Sequence, residues 1–80
     1  RNLGHHKEAI ACYQQAVNMC GELGDRYHEA DSLVSLGDAH HAFGDPELAR
    51  IAWQRALTIL EQLDHPRAGL VRAKIHEDSE

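Results

Sequence analysis

Gly44-Asp45-Pro46-Glu47-Leu48-Ala49-Arg50-Ile51-Ala52-Trp53-Gln54-Arg55-Ala56 is the stretch that decides the fold of this 80-residue chain. Gly44 closes one helix, and Asp45 offers a side-chain oxygen to the unpaired N–H groups that open the next. Pro46 suits a first helical turn, where no N–H is required of it, and Glu47 places negative charge at the positive end of the helix dipole. The helix so opened is predicted to run to about Leu63. Its apolar stripe is Ala49, Trp53, Ala56, Leu60 and Leu63, widened by Leu48, Ala52 and Leu57. A stripe that broad packs against helices on two sides.

Forty residues upstream the same text returns, since Gly4, Ala9, Tyr13, Gln14, Ala16 and Leu23 line up with Gly44, Ala49, Trp53, Gln54, Ala56 and Leu63. One such stripe is an ordinary amphipathic helix, but its recurrence at a fixed offset predicts an all-α array of helix-turn-helix repeats with about four helices. The alignment gives a first helix over residues 6–23 with the stripe Ala9, Tyr13, Ala16, Cys20 and Leu23. It puts Gly4, His5 and His6 in a turn, the two histidines matching Asp45 and Pro46 in a capping role. Gly24 ends this helix, and Asp25 caps a second over residues 26–42 with the stripe Ala30, Leu33, Gly37 and His40. Pro66 opens a short fourth helix that ends near Ile75, leaving 76–80 as a polar end that frays.

Composition narrows the function. The chain carries 13 acidic and 8 basic residues for a net charge of −5, which argues against direct binding of a nucleic-acid backbone. No apolar run approaches the roughly 18 residues of a membrane span, and the first residues lack the pattern of a signal peptide, so a cytoplasmic protein with no membrane partner is expected. Cys12 and Cys20 are eight positions apart on one helix, about 12 Å at 1.5 Å per residue, too far for a disulfide. Both read as small buried apolar side chains.

Seven histidines, with adjacent pairs at His5-His6 and His40-His41, invite a metal reading. Neighbours on a helix point about 100° apart, whereas a helical metal site needs His spaced by three or four, so no metal is expected. His40 reads as a side chain at the edge of the core and His41 as exposed. No nucleophile motif and no glycine-rich phosphate loop occurs, Gly21 being alone in a helix and Gly24 and Gly44 single at turns. Neither a catalytic centre nor a cofactor is expected.

Leu33, Leu36, Gly37, Gly44, Ala49, Trp53 and Ala56 together resemble the signature of the tetratricopeptide repeat. In that family small residues stand where two helices cross and large ones fill the gaps, in a right-handed superhelical stack. Gly37, Ala49 and Ala56 supply clearance at the crossings, because helix axes approach to about 8 Å only where no bulky side chain intervenes. Trp53 and Tyr13 fill the wedge between successive helix pairs. His40 departs from the usual aromatic, and Glu61 stands in place of the usual terminal proline, which lengthens the unit. The resemblance divides the chain into residues 1–24 as the second half of one repeat, 25–64 as a full repeat, 65–76 as a capping or next-repeat helix, and 77–80 as a polar tail. Residues 1–4 match the end of an earlier helix, so the chain reads as an excerpt from a longer array.

Residues 36–75, with Leu-Gly-Asp-Ala-His, Phe-Gly-Asp-Pro, Ala-Leu-Thr-Ile-Leu and Leu-Asp-His-Pro-Arg-Ala, are also similar to the C-terminal repeats of bacterial transcriptional regulators of the antibiotic-regulatory-protein type. The same motifs occur in other long-helix repeats, including scaffolds that orient the mitotic spindle. The resemblance implies that any DNA-binding or nucleotide-hydrolysing activity lies outside this chain.

The family lines its concave groove with the first helix of each pair, which implies a binding face of Asp31, Val34, Asp38 and His41 on the second helix. The basic and amide side chains by which some members clamp a terminal carboxylate are missing there. A basic or mixed-charge segment of another protein or of the parent chain itself is therefore the expected partner, with Val34 as apolar anchor and the aspartates orienting it. A structural spacer and a His-rich metal-responsive module are the alternatives. The first helix should also expose part of its apolar face, which predicts a homodimer of the isolated chain.

Overall fold

The computed structural model describes residues 3–79, with side chains described for residues 5–77. Four helices follow in order: α1 (Leu3–Leu23), α2 (Arg26–Ala42), α3 (Pro46–Gln62) and α4 (Ala68–Ser79). Each packs chiefly on its neighbours in sequence, α1 on α2, α2 on α3 and α3 on α4. The expected all-α helix-turn-helix stack is present, and α2 has its expected bounds.

One device makes all three connections. The Asp25, Asp45 and His65 N–H groups reach back to the Cys20, His40 and Leu60 carbonyls, each at 2.9 Å. The residue before each donor is left-handed: Gly24 at φ 75°, Gly44 at φ 94° and Asp64 at φ 55°. This closure satisfies carbonyls that the helix end leaves open, and it recurs every twenty residues, half the sequence offset. Asp64 fills a position that favours glycine, because a Cβ there crowds the following carbonyl.

The next residue in each turn caps the helix to come. Asp25 accepts from the His28 N–H at 3.3 Å and meets the His28 ring Nδ1 at 2.8 Å, while Asp45 accepts from the Leu48 N–H at 3.4 Å. The backbone bond from His28, reinforced by its ring, holds the Asp25 carboxyl below the usual carboxylate range. At the third turn His65 Nδ1 accepts from the Arg67 N–H at 3.1 Å, so an imidazole does the work of the aspartates.

Both outer ends depart from expectation. Gly4, His5 and His6 lie inside α1, not in a turn, because no short capping acceptor and no proline follow Gly4 as Asp45 and Pro46 follow Gly44. For the same reason Leu3 and Gly4 belong to α1 and not to the end of an earlier helix, and residues 1 and 2 lie outside the described residues. α4 continues through Ser79, past the expected end near Ile75, since nothing after Gly69 interrupts it and Ile75 still packs against the core. The polar tail of 77–80 is thus helical as far as Ser79, and Glu80 lies outside the described residues.

The core gathers on α3. Ala49, Ala52, Trp53, Ala56, Leu57, Ile59 and Leu60 are all buried, against Ala30, Leu33, Val34, Leu36 and Gly37 of α2 and Ala68 and Val71 of α4. Ala49 and Ala56 have no exposed surface, as their place at a crossing requires. Gly37 is the floor beneath Trp53, because a Cβ at Gly37 would clash with Cδ1 and Nε1 of the indole. Leu48 and Leu63, counted in the stripe, are exposed at the two ends of the helix.

α1 presents a different face from the one its stripe suggested. Val17 is its buried side chain and Ile10 is partly buried, while Ala9 and Ala16 are half-buried and Tyr13 and Leu23 exposed. Cys12 is exposed and Cys20 half-exposed, so neither is the fully buried side chain expected. The physical reason is that α1 meets only α2 closely, as α3 meets α4, and the side corresponding to the α2-facing side of α3 has no helix against it among the described residues.

Candidate functional site

The notable chemistry lies where α2 faces α4. Asp31 Oδ1 accepts from Arg67 Nη1 at 2.8 Å, and seven residues later Asp38 Oδ1 accepts from Lys74 Nζ at 3.1 Å. Both pairs span 36 residues, so α4, with Arg67 immediately before it, runs in the same direction as α2 and is pinned to it at two levels. Arg67 also donates to the Tyr27 hydroxyl at 3.3 Å. The bonds to Asp31 and then Tyr27 raise the Arg67 guanidinium above its ordinary pKa. Both ion pairs are partly exposed, so each contributes at most about 1 kcal/mol.

Around the Asp38 rung the side chains form a cluster. Trp53 Nε1 donates to Asp38 Oδ1 at 3.2 Å, the Lys74 ammonium stands 5.6 Å from the centre of the indole, and the His41 ring lies against the same indole at 5.7 Å. Asp38 is therefore the junction of a buried aromatic and an exposed cation. A cleft of about 380 Å³ opens here, lined by Asp38, His41, Ala42, Trp53, Lys74 and Glu77.

Of the four residues expected on the binding face, Asp38 and His41 line this cleft, and Asp31 is one rung away. Val34 is a correction. It is 6% exposed and belongs to the core, because α2 is packed by α1 on one side and α3 on the other and has little open surface for an apolar anchor. The repeat-packing residues Gly37, Ala49, Trp53 and Ala56 meet around the α2–α3 crossing, and Gly44 makes the turn between those helices. Gly4, Ala9, Tyr13 and Ala16 lie along α1 and do not join that cluster.

Sequence reasoning missed Arg67, Lys74 and Glu77. The signal was available as spacing, since Arg67 and Lys74 are seven apart, as Asp31 and Asp38 are, with opposite charge. Among the described residues no group of three His, Cys, Asp or Glu side chains is arranged to hold a metal ion, and no helix is long and apolar enough to cross a membrane.

Comparison with known proteins gives this geometry a family. The tetratricopeptide repeat model matches residues 1–62. The chain is 32% identical over 65 residues to the regulatory protein AfsR of Streptomyces griseus, a match covering 81% of the chain and 7% of that protein. The chain thus spans a small part of the length of this regulatory protein. No solved structure gives a significant match. With 62 of its 80 residues matched, Gly37 beneath Trp53, and alanines at the helix crossing, the chain belongs to the tetratricopeptide repeat family.

Proposed function

We propose that this chain is a protein-interaction module that serves as a regulatory surface within a larger cytoplasmic bacterial transcriptional regulator. Residues 25–64 act as one full repeat in this reading, and α4 begins the next. The observation that carries it is the cleft between parallel helices α2 and α4, open to solvent and bordered by both charge signs and an indole. Mixed charge around an aromatic suits a segment of another protein, or of the parent chain itself, better than a nucleic acid or a membrane surface. The match to a regulatory protein favours the regulatory setting.

Internal pairing of Asp31 and Asp38 also supports a second reading, a spacer whose ion pairs only set the angle between repeats. The two readings part at Ala42, an exposed residue lining the cleft. A photo-cross-linking side chain at Ala42 of the intact regulator should give a discrete adduct with one protein segment, while the same group at exposed Gln54 of α3 should not. Adducts from neither position, or equally from both, would support the spacer.

A further inference from the structure

We propose that the α2–α4 cleft receives a cationic side chain of the partner segment, arginine in preference to lysine, and that Lys74 occupies that place in its absence. This rests on the interaction reading above and names the chemistry of the same site. The cleft holds two carboxylates, Asp38 and Glu77, one ammonium, Lys74, and the indole of Trp53. Lys74 already makes both contacts that a visiting cation would seek: it donates to Asp38 at 3.1 Å and stands 5.6 Å from the centre of the indole. An ammonium held by a carboxylate and an aromatic face outlines the chemistry of the site.

Lys74 is an exchangeable occupant. Its side chain is 39% exposed and its Asp38 partner 51%, so the amine can swing into water on its flexible stem. Breaking one exposed ion pair to form another costs little, at most about a fivefold loss of affinity. When Lys74 leaves, Asp38 keeps the Trp53 N–H and so stays in position, because that bond comes from the buried side of the cluster. The vacated cleft is then lined by two carboxylates, Asp38 and Glu77, beside the Trp53 indole and the His41 ring that lies against it. A planar guanidinium can stack on the indole and bond a carboxylate at once, which an ammonium does less well.

Trp53 is the one tryptophan of the chain, so its emission reports on the cleft directly. The full chain is titrated with acetylated, amidated Gly-Arg-Gly, Gly-Lys-Gly and Gly-Glu-Gly peptides at low ionic strength, with helical content followed by circular dichroism. The arginine peptide should shift the emission most, the lysine peptide less and the glutamate peptide not at all. Lys74→Met removes the resident ammonium and keeps most of its stem, and should tighten arginine binding by roughly two- to fivefold. Asp38→Asn preserves an acceptor for the Trp53 N–H while removing the charge, and should weaken binding by at least about fivefold.

Equal response to the glutamate peptide, or an affinity that Lys74→Met leaves unchanged or lowers with helical content intact, would overturn the assignment. A cross-link at Ala42 with no response to the arginine peptide would leave the interaction reading standing and remove the cation site alone. The reverse result would keep the cation site and remove the protein partner.

Discussion

α1 and α3 carry the same pattern forty residues apart and meet opposite fates. Trp53 is 4% exposed and its counterpart Tyr13 is 37%; Ile59 is 4% exposed and its counterpart Met19 is 60%. α3 lies between α2 and α4, whereas α1 has α2 alone as a close neighbour among the described residues. The difference teaches that in a repeat a stripe encodes a demand for neighbours, and that burial follows from how many are met. Val17 and Leu57, which also align at the forty-residue offset, are both buried, so the satisfied side of α1 behaves as α3 does.

The sharpest way to break this comparison is to truncate the two aromatics. Trp53→Ala should cost about 3–5 kcal/mol, because it empties the space above Gly37 and removes the donor to Asp38, while Tyr13→Ala should cost about 1 kcal/mol or less. Urea unfolding of the two variants measures both, and similar losses would mean that α1 and α3 are equally enclosed. In a chain this small the larger loss can unfold the protein, which thermal melts of the same pair would register as a missing transition.

Enlarging a small residue tests the same asymmetry in the other direction. Ala49→Leu should destabilise by about 1–3 kcal/mol because Ala49 has no exposed surface at the α2–α3 crossing. Ala9→Leu, at the half-buried matching position of α1, should stay within about 0.5 kcal/mol of the parent. Denaturant midpoints that fall together for both would contradict the difference in packing.

The smallest expected effect is self-association. The 80-residue chain should form a weak, concentration-dependent dimer through the face of α1 that bears Tyr13 and Met19, and Tyr13→Glu with Met19→Glu should keep it monomeric. Sedimentation velocity over a range of concentrations decides this, and a strict monomer up to millimolar chain would show that the face does not recruit a second copy.

What could be read from sequence was local. Asp45-Pro46-Glu47 and Gly24-Asp25 announce a helix start and a turn through side chains that act within three residues, and α2 and α3 began where those signals put them. Asp64 makes the same left-handed turn as Gly24 and Gly44 without a glycine to reveal it, so its regularity emerged only from backbone geometry. Gly4 misled because the alignment carried the glycine upstream without the capping residues that give it meaning. At the site, Asp31, Asp38 and His41 were legible as residues sharing a face. Val34 was not, because a helix packed on two sides buries more than one stripe. The partners Arg67 and Lys74 needed the parallel placement of α2 and α4, which follows from two successive turns and from no single stretch of residues.

The parallel rungs between α2 and α4 give the stack two kinds of fastening. Across the open side the link is ionic and exposed, at Asp31–Arg67 and Asp38–Lys74, whereas through α3 it is apolar and buried. Added salt acts on these in opposite senses, screening exposed charge pairs while salts excluded from the protein surface strengthen apolar burial. The placement of α4 relative to α2 therefore rests on two terms that answer differently to the solution, and rising ionic strength should loosen the exposed ionic one while leaving the buried apolar one in place.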